Sequence, residues 1–371
     1  MYITVSKANL VKTLSHLYRI VEKKSTIPVL SNVKIEAGDS LKFTATNIDL
    51  EIVESLEGTV NEHGSITIPV HVLYDIVRKL PEGHDVELKT SSDDSNVVIK
   101  SGNSEFTLPA LPATDFPVMA SSSMPFKFTL PTSDLIKLID KTKFAVSTEE
   151  TRYFLNGIFF HTLEKEGREL LRAVATDGHR LARQDVLSPE GAKGMPSIII
   201  PRKVITELRA QLDDTEDDIT VETSETKARF TFGNTTITSK LIDGKFPDYE
   251  KVIPTSNDKE MEVDCKVFSE AVDRVSSVSY EKSKAIKLKL SKSKLTLLAS
   301  TPDSGSAVED VEVVYDNEGM EIGFNSRYLL DIAGQIEGKF MKFVISDASS
   351  PAIIKELDDE STIYVLMPMR I

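Results

Sequence analysis

The chain has one cysteine, Cys265, in 371 residues. That excludes an intrachain disulfide framework and any cysteine-rich zinc site. No apolar run approaches the ~20 residues of a membrane span, so no membrane partner is expected. The opening segment Met1–Lys7 meets polar residues too early for a secretory signal, and a reducing cytoplasm is the expected compartment. G-x-x-x-x-G-K-[ST], G-x-G-x-x-G and H-E-x-x-H are all missing, which removes the usual phosphate-loop, dinucleotide and zincin readings. The six histidines show no metal-ligand spacing, so neither metal nor cofactor is expected. Positive charge is also short. Lys+Arg number 44 against 58 Asp+Glu, a net of −14, which taken alone argues against a polyanionic partner.

What the sequence does contain is ordinary globular composition, 40% hydrophobic and 27% charged, enough for two or three domains. It also contains a repeat of pattern. Three long amphipathic stretches carry Leu10, Leu14, Leu17 and Val21; Leu135, Leu138, Ile139 and Val146; and Phe268, Val272, Val275 and Val278. Their three- and four-residue spacing predicts helices, each preceded by a short extended segment. Shorter helical stretches interleave around Val72–Leu80, Val204–Leu208 and Leu329–Ile336. The first two open on Ile-Pro, which suggests proline in the first helical turn, and the third on Asn325-Ser326, which suggests a cap. Equivalent positions recur every 124–133 residues, so each period holds two helices. Period-two segments such as Val33/Ile35 and Leu295/Leu297/Ala299 read as strands. Proline-rich joints near Leu111–Pro125 and Phe246–Ser256 place the domains at 1–125, 126–254 and 255–371. The expected class is α+β: three similar domains of two strand–helix–strands units, with antiparallel sheets covered on one face by helices.

Charge is not spread evenly over this pattern. The six helical windows, 6–24, 70–80, 132–148, 201–211, 265–284 and 325–339, total +9, leaving −23 for everything else. Lysine and arginine are good helix formers, so a solvated face explains part of this. A basic surface turned toward a polyanion explains it as well.

Catalytic groupings are sparse. Asp177-Gly178-His179-Arg180 is the one dense polar cluster beside an apolar run. A hydrolase or transferase reading makes Asp177 the orienter and His179 the base. The competing reading is a turn, with Gly178 at positive φ and Asp177 capping it. A third reading is a structural repeat scaffold without a DNA role. The tail Tyr364–Ile371 is apolar and methionine-rich. Pro368 cannot donate to a ladder, so the strand is expected to end near Met367 and leave the last residues at the surface.

Several segments together resemble the β sliding clamp family of bacterial DNA polymerase III. They are Thr26–Leu30, Leu111–Pro117, Arg152–Gly157, Ala175–Ala182, Asp243–Tyr249 and Met367–Arg370, and the likeness spans the whole chain in order. The resemblance implies a clamp fold of three domains per chain and a head-to-tail homodimer. In that ring, helices line the hole around double-stranded DNA, sequence-independently, and sheets form the rim. It implies a non-enzymatic processivity factor in the cytoplasm, on the nucleoid. Its partners would be the replicative polymerase α subunit of the holoenzyme, the clamp loader and other proteins with a clamp-binding motif; any ATP would belong to the loader.

Residue by residue, the resemblance implies a partner-peptide pocket between the second and third domains. One wall is Leu155, Thr176, Gly178, His179, Arg180 and Leu181; Pro247, Lys251 and Val252 continue it; and Val365, Leu366, Met367, Pro368, Met369 and Arg370 complete it. Lys251 stands where arginine is common. For DNA the resemblance implies Lys24, Arg152, Tyr153 and Phe154, and charge adds Lys12, Lys137, Lys141, Arg202 and Lys203. For the dimer seam it implies Phe106 and Leu108 against Ser277 and Val278. Asn103 and Glu105 replace residues that are basic in some members, which implies a seam with weak ion pairing.

Overall fold

In the computed structural model the described residues are 1–120, 123–213, 218–279, 284–302 and 305–370, and the counts below are of those residues. Six helices appear: α1 (Lys7–Leu17), α2 (Val70–Val77), α3 (Thr132–Lys143), α4 (Arg202–Leu212), α5 (Cys265–Ser276) and α6 (Ser326–Ala333). Each follows a strand within two residues, so the expected strand–helix unit occurs six times. The caps are local chemistry: Ser6 accepts from the Asn9 N–H, Asp264 from Val267, and Asn325 from Arg327 and Tyr328. The apolar stripes face inward, with Leu10, Leu14 and Leu17 in α1 and Phe268, Val272 and Val275 in α5 all buried.

Three expectations change. Pro69 and Pro201 end strands immediately before α2 and α4 instead of opening the helices; lacking an N–H, each closes a ladder as readily as it starts a helix. Val72 points outward, 46% exposed. The helices are also shorter than their windows, and Arg19, Lys23 and Lys24 lie past the end of α1. Counted over α1–α6 alone, eleven Lys/Arg face seven Asp/Glu, so the helices carry +4 and the rest of the chain −18. The basic bias of the helices survives at about half its expected size.

By compactness the chain forms two units, 1–133 with 189–196 and 203–241, and 134–188 with 197–202 and 242–371. The first holds two antiparallel sheets. One has five strands, in the order Gly58–Glu62, Tyr2–Ser6, Asp85–Thr90, Asn96–Ser101 and Ser104–Pro109. The other has nine, because Leu50–Leu56 pairs with Thr235–Lys240 and so joins strands of the first repeat to strands of the second. The second unit repeats the arrangement. Arg180–Leu187 pairs with Thr362–Leu366 in an eight-stranded sheet, and a four-stranded sheet ends at the edge strand Gly305–Glu312. Compactness therefore follows the shared sheets, and the middle repeat contributes to both units.

Candidate functional site

In the second unit, Arg168–Thr176 and Arg180–Leu187 are joined by a tight turn. The Thr176 hydroxyl donates to the Arg180 carbonyl at 2.7 Å and accepts the Gly178 N–H at 3.0 Å. Asp177 Oδ1 accepts the N–H groups of His179 and Arg180, and its Oδ2 accepts from Arg180 Nε. Gly178 has φ +88°, and a Cβ there would lie 2.6 Å from Arg152 Nη1. This is the turn reading of the cluster. The Asp177 carboxylate serves backbone N–H groups and an arginine, while the His179 ring lies against Tyr328 at 6.4 Å between centroids. Orienter and base are not assembled.

The turn closes one side of an apolar pocket of about 230 Å³. Buried Leu155, Leu181 and Val365 line it and belong to a cluster with Val174, Ile199, Phe246 and Tyr249. Pro247, Val252 (47% exposed) and Met367 (40% exposed) line it farther out, with Thr176, Gly178 and Arg180 on the turn side. Arg180 is held firmly: Nη1 donates to Asp331 at 2.5 Å, Nη2 to the Phe144 carbonyl at 2.6 Å, and its guanidinium carbon sits 4.3 Å from the centre of the Tyr328 ring. Such a concave apolar site with a few fixed polar groups suits an extended peptide with apolar anchors.

Not every expected residue lines this pocket. Leu366 is fully buried, because alternation along Thr362–Leu366 sends Val365 to the pocket and Leu366 to the other face. His179 is exposed and contributes its carbonyl, which accepts the Met367 N–H at 2.9 Å. Lys251 is tied to Asp248 at 2.8 Å. The tail does not stay loose at the surface: Met369 N–H donates to the Gly323 carbonyl at 2.8 Å, and Met369 and Arg370 line a second hollow against Ala285, Lys287 and Leu298–Ser300. Pro368 is the half-buried link between the two hollows, and Ile371 lies outside the described residues. The pocket also includes Asp248 and Tyr249, which sequence reasoning missed. The signal was available: a short 3₁₀ turn over Tyr249–Val252 eclipses residues three apart and brings Tyr249 and Val252 to one side.

Arg172 and Asp185 lie behind the Tyr249 ring, almost fully buried and joined by two bonds of 2.6 and 2.8 Å. Burial opposes the Arg172 charge, but the bonds to Asp185 and Tyr249 outweigh it and raise its pKa. Burial raises the Tyr249 hydroxyl and lowers His161 below 6.5.

Of the expected DNA-facing residues, Lys12, Lys24, Arg202 and Lys203 are exposed. Lys137 is half-buried near Asp359 and Ser361. Lys141 is 4% exposed and bound to the Gln335 carbonyl and Glu337, so it presents no free charge to a surface. Arg152 pairs with Glu149 and sits over Gly178; Tyr153 is exposed; Phe154 packs on the pocket cluster. Phe106 (39% exposed) and Leu108 lie on the edge strand Ser104–Pro109, while Ser277 and Val278 follow α5.

The repeated strand–helix units and antiparallel sheets define a clamp-type α+β fold of three similar domains. Three family domains match in order: the DNA polymerase III beta subunit N-terminal domain over residues 1–120, its central domain over 129–248 and its C-terminal domain over 250–370. A beta sliding clamp from Caulobacter vibrioides is 48% identical, with all of both chains covered. A Bartonella birtlesii sliding clamp (DNA polymerase III subunit beta) solved with griselimycin superposes at TM-score 0.97 with 47% identity, covering both chains fully. A Caulobacter crescentus beta sliding clamp gives 0.98 with 48% identity, over 100% of this chain and 99% of that one. The chain belongs to the DNA polymerase III beta subunit family, the beta sliding clamps of DNA replication.

Proposed function

We propose that two copies of this chain close head to tail into a ring around duplex DNA and tether the replicative polymerase to it. The observation that carries this reading is the ordered match of all three family domains across the full chain. On this reading the domains are 1–125, 126–254 and 255–371, the helices face the hole and the sheets form the rim. The ring does no chemistry. It raises the polymerase's effective concentration at the primer end, which is the physics of linked sites.

Charge partition supports a sliding ring. Helices at +4 against −18 elsewhere touch phosphate weakly and without regard to sequence, while the acidic remainder discourages sideways binding. Lys12, Lys24, Arg202 and Lys203 are the proposed DNA-facing charges, together with Lys137 and the Arg152–Phe154 segment; Lys141 drops out because its ammonium is buried and engaged. Ser104–Pro109 and Gly305–Glu312 are two of the eight sheet-end strands among the described residues, and unpaired edges are templates for strand addition from another copy. Phe106 and Leu108 stand on the first, and Ser277 and Val278 follow α5, whose Arg274 pairs with Glu309 of the second. Glu105 is engaged by Lys100 of its own sheet at 3.0 Å, which leaves little ionic glue for the seam.

The apolar pocket takes a short peptide motif carrying glutamine and apolar or aromatic residues, from the polymerase α subunit, the loader or other clamp-binding partners. The place of action is the cytoplasm, on the nucleoid. Sedimentation tests the assembly. The expected result is a particle of two 41.1 kDa chains at micromolar concentration that dissociates on dilution. A monomer at micromolar concentration contradicts the ring, and a dimer intact at low nanomolar concentration contradicts the weak seam. Removing Met369–Ile371 cuts the Met369–Gly323 bond that pins the tail beyond Met367, and should weaken peptide binding in the pocket while leaving the sedimentation unchanged.

A further inference from the structure

We propose that His161 and Arg172 are positioning residues of the apolar pocket, acting on a bound peptide through the Tyr249 ring; this rests on the pocket being the peptide site. Tyr249 belongs to both places: it lines the pocket, and its hydroxyl is engaged from behind. Arg172 Nη1 donates to that hydroxyl at 3.0 Å, and His161 Nε2 lies 2.9 Å from it. Arg172 is fixed by its two bonds to Asp185 and by a third, at 3.3 Å, to Glu250.

Hydrogen-bond inventory sets the direction of this chain. A guanidinium only donates, so the Tyr249 oxygen accepts from Arg172 and its own proton goes to His161. His161 Nε2 is then the unprotonated nitrogen, and Nδ1 carries the proton, 3.4 Å from the Thr162 carbonyl. The charged groups that act on His161 are Arg172, Asp185 and Glu250, and burial lowers its pKa, which favours the neutral ring. A second proton on His161 would point an N–H at a hydroxyl that then has no acceptor for its own hydrogen. The same rings back the pocket: Phe159 stacks on Phe246 at 4.7 Å and leans on His161 at 4.9 Å. The hydroxyl bonds therefore fix where the Tyr249 ring stands, and the ring is what a peptide side chain meets.

The test uses the full chain and a fluorescein-labelled peptide carrying glutamine, leucine and phenylalanine, read by fluorescence anisotropy at a series of pH values from 7.5 down to 4.5. Wild type should bind at pH 7.5 and weaken, as pH falls through the lowered His161 value, by several-fold more than either variant. Tyr249→Phe keeps the apolar wall but loses the chain, so it should bind about 3- to 10-fold more weakly at pH 7.5, with a flatter pH profile. His161→Gln offers an amide oxygen to the hydroxyl and should recover near-wild-type affinity at pH 7.5 with the same flat profile. His179 at the pocket rim is present in all three proteins, so its contribution cancels. Arg172 is left unchanged because opening its buried pair threatens the fold. Three proteins sharing one pH profile would overturn the inference while leaving the pocket reading intact. Wild type failing to bind at pH 7.5 would remove the pocket reading, and the inference with it.

Discussion

Two turns, 130 residues apart, are built alike and do different things. In the second unit Thr176-Asp177-Gly178-His179-Arg180 closes the apolar pocket. In the first unit Thr46-Asn47-Ile48-Asp49-Leu50 has the same bonds: Thr46 donates to the Leu50 carbonyl and accepts the Ile48 N–H, and Asn47 accepts from Asp49 and Leu50. The third residue has positive φ in both, +88° at Gly178 and +80° at Ile48. Even the return strand repeats, with Lys240 N–H donating to the Asp49 carbonyl as Met367 does to His179. The side chains around the turns differ. Leu181 sits opposite Val365, whereas its counterpart Glu51 sits opposite Thr238. Met367 is matched by Lys240, which pairs with Asp49, and Tyr249 by Met119, whose N–H is accepted by Glu51. Behind the pocket the buried pair Arg172–Asp185 occupies the register where the first unit has exposed Lys42 opposite Ser55. One backbone device thus carries an apolar groove in one place and a self-satisfied polar seam in the other. The backbone alone does not make a binding site.

The largest expected contrast is in stability. Arg172→Ala leaves Asp185 charged and buried, and should cost about 3–5 kcal/mol by chemical denaturation. Lys42→Ala, at the matching register, should change stability by less than ~0.5 kcal/mol. Equal effects would mean that the buried pair is no anchor.

Next comes binding. Met367→Lys copies Lys240 into the pocket and removes an apolar contact worth about 1.5 kcal/mol, so peptide affinity should fall about 10-fold with the fold unchanged. The reverse change, Lys240→Met, should create no second peptide site, since Glu51 and Thr238 remain. Titration calorimetry showing two peptides per chain would contradict this.

A smaller effect separates the turns themselves. A β-branched residue at positive φ is strained, so Ile48→Gly should stabilise by about 0.5–1 kcal/mol after glycine's entropy is counted. Gly178→Ala should cost about 1–2 kcal/mol and displace Arg152, visible as a lower denaturation midpoint.

The smallest effect is in pH, where the two regions should respond with opposite sign. Burial raises Glu51 above its usual 4.5, so the folded state holds that proton more tightly and stability is lost as pH rises from 4.5 through the raised value. Glu51→Gln should therefore be more stable than wild type at neutral pH and converge with it below about pH 4.5. His161 lies below its usual 6.5, so its contribution is fully present above 6.5 and is lost as pH falls through the lowered value. Stability curves of each variant against wild type measure both signs.

Much of this was legible in the sequence. The six strand–helix units follow from apolar spacing, and Asn325 and Gly178 are where cap and turn chemistry place them. The joining of repeats through Leu50–Leu56 with Thr235–Lys240 was not legible, because pairing across ~180 residues is set by the assembled sheet and not by local pattern. The charge of the helices was overcounted because lysines just past a helix end read like helix residues. Lys141 looked solvent-facing, yet it packs beside Leu138 and Thr142 and finds the Gln335 carbonyl and Glu337. The pocket residues were reached through family likeness, not chemistry, and that route passed over Tyr249, whose role depends on two strands distant in sequence.

The central claim is topological, and one measurement addresses it directly. The clamp, placed by its loader on nicked circular DNA, should remain through gel filtration and be lost when the same DNA is cut once to a linear form. Equal loss from circular and linear DNA would contradict a ring that encloses the duplex.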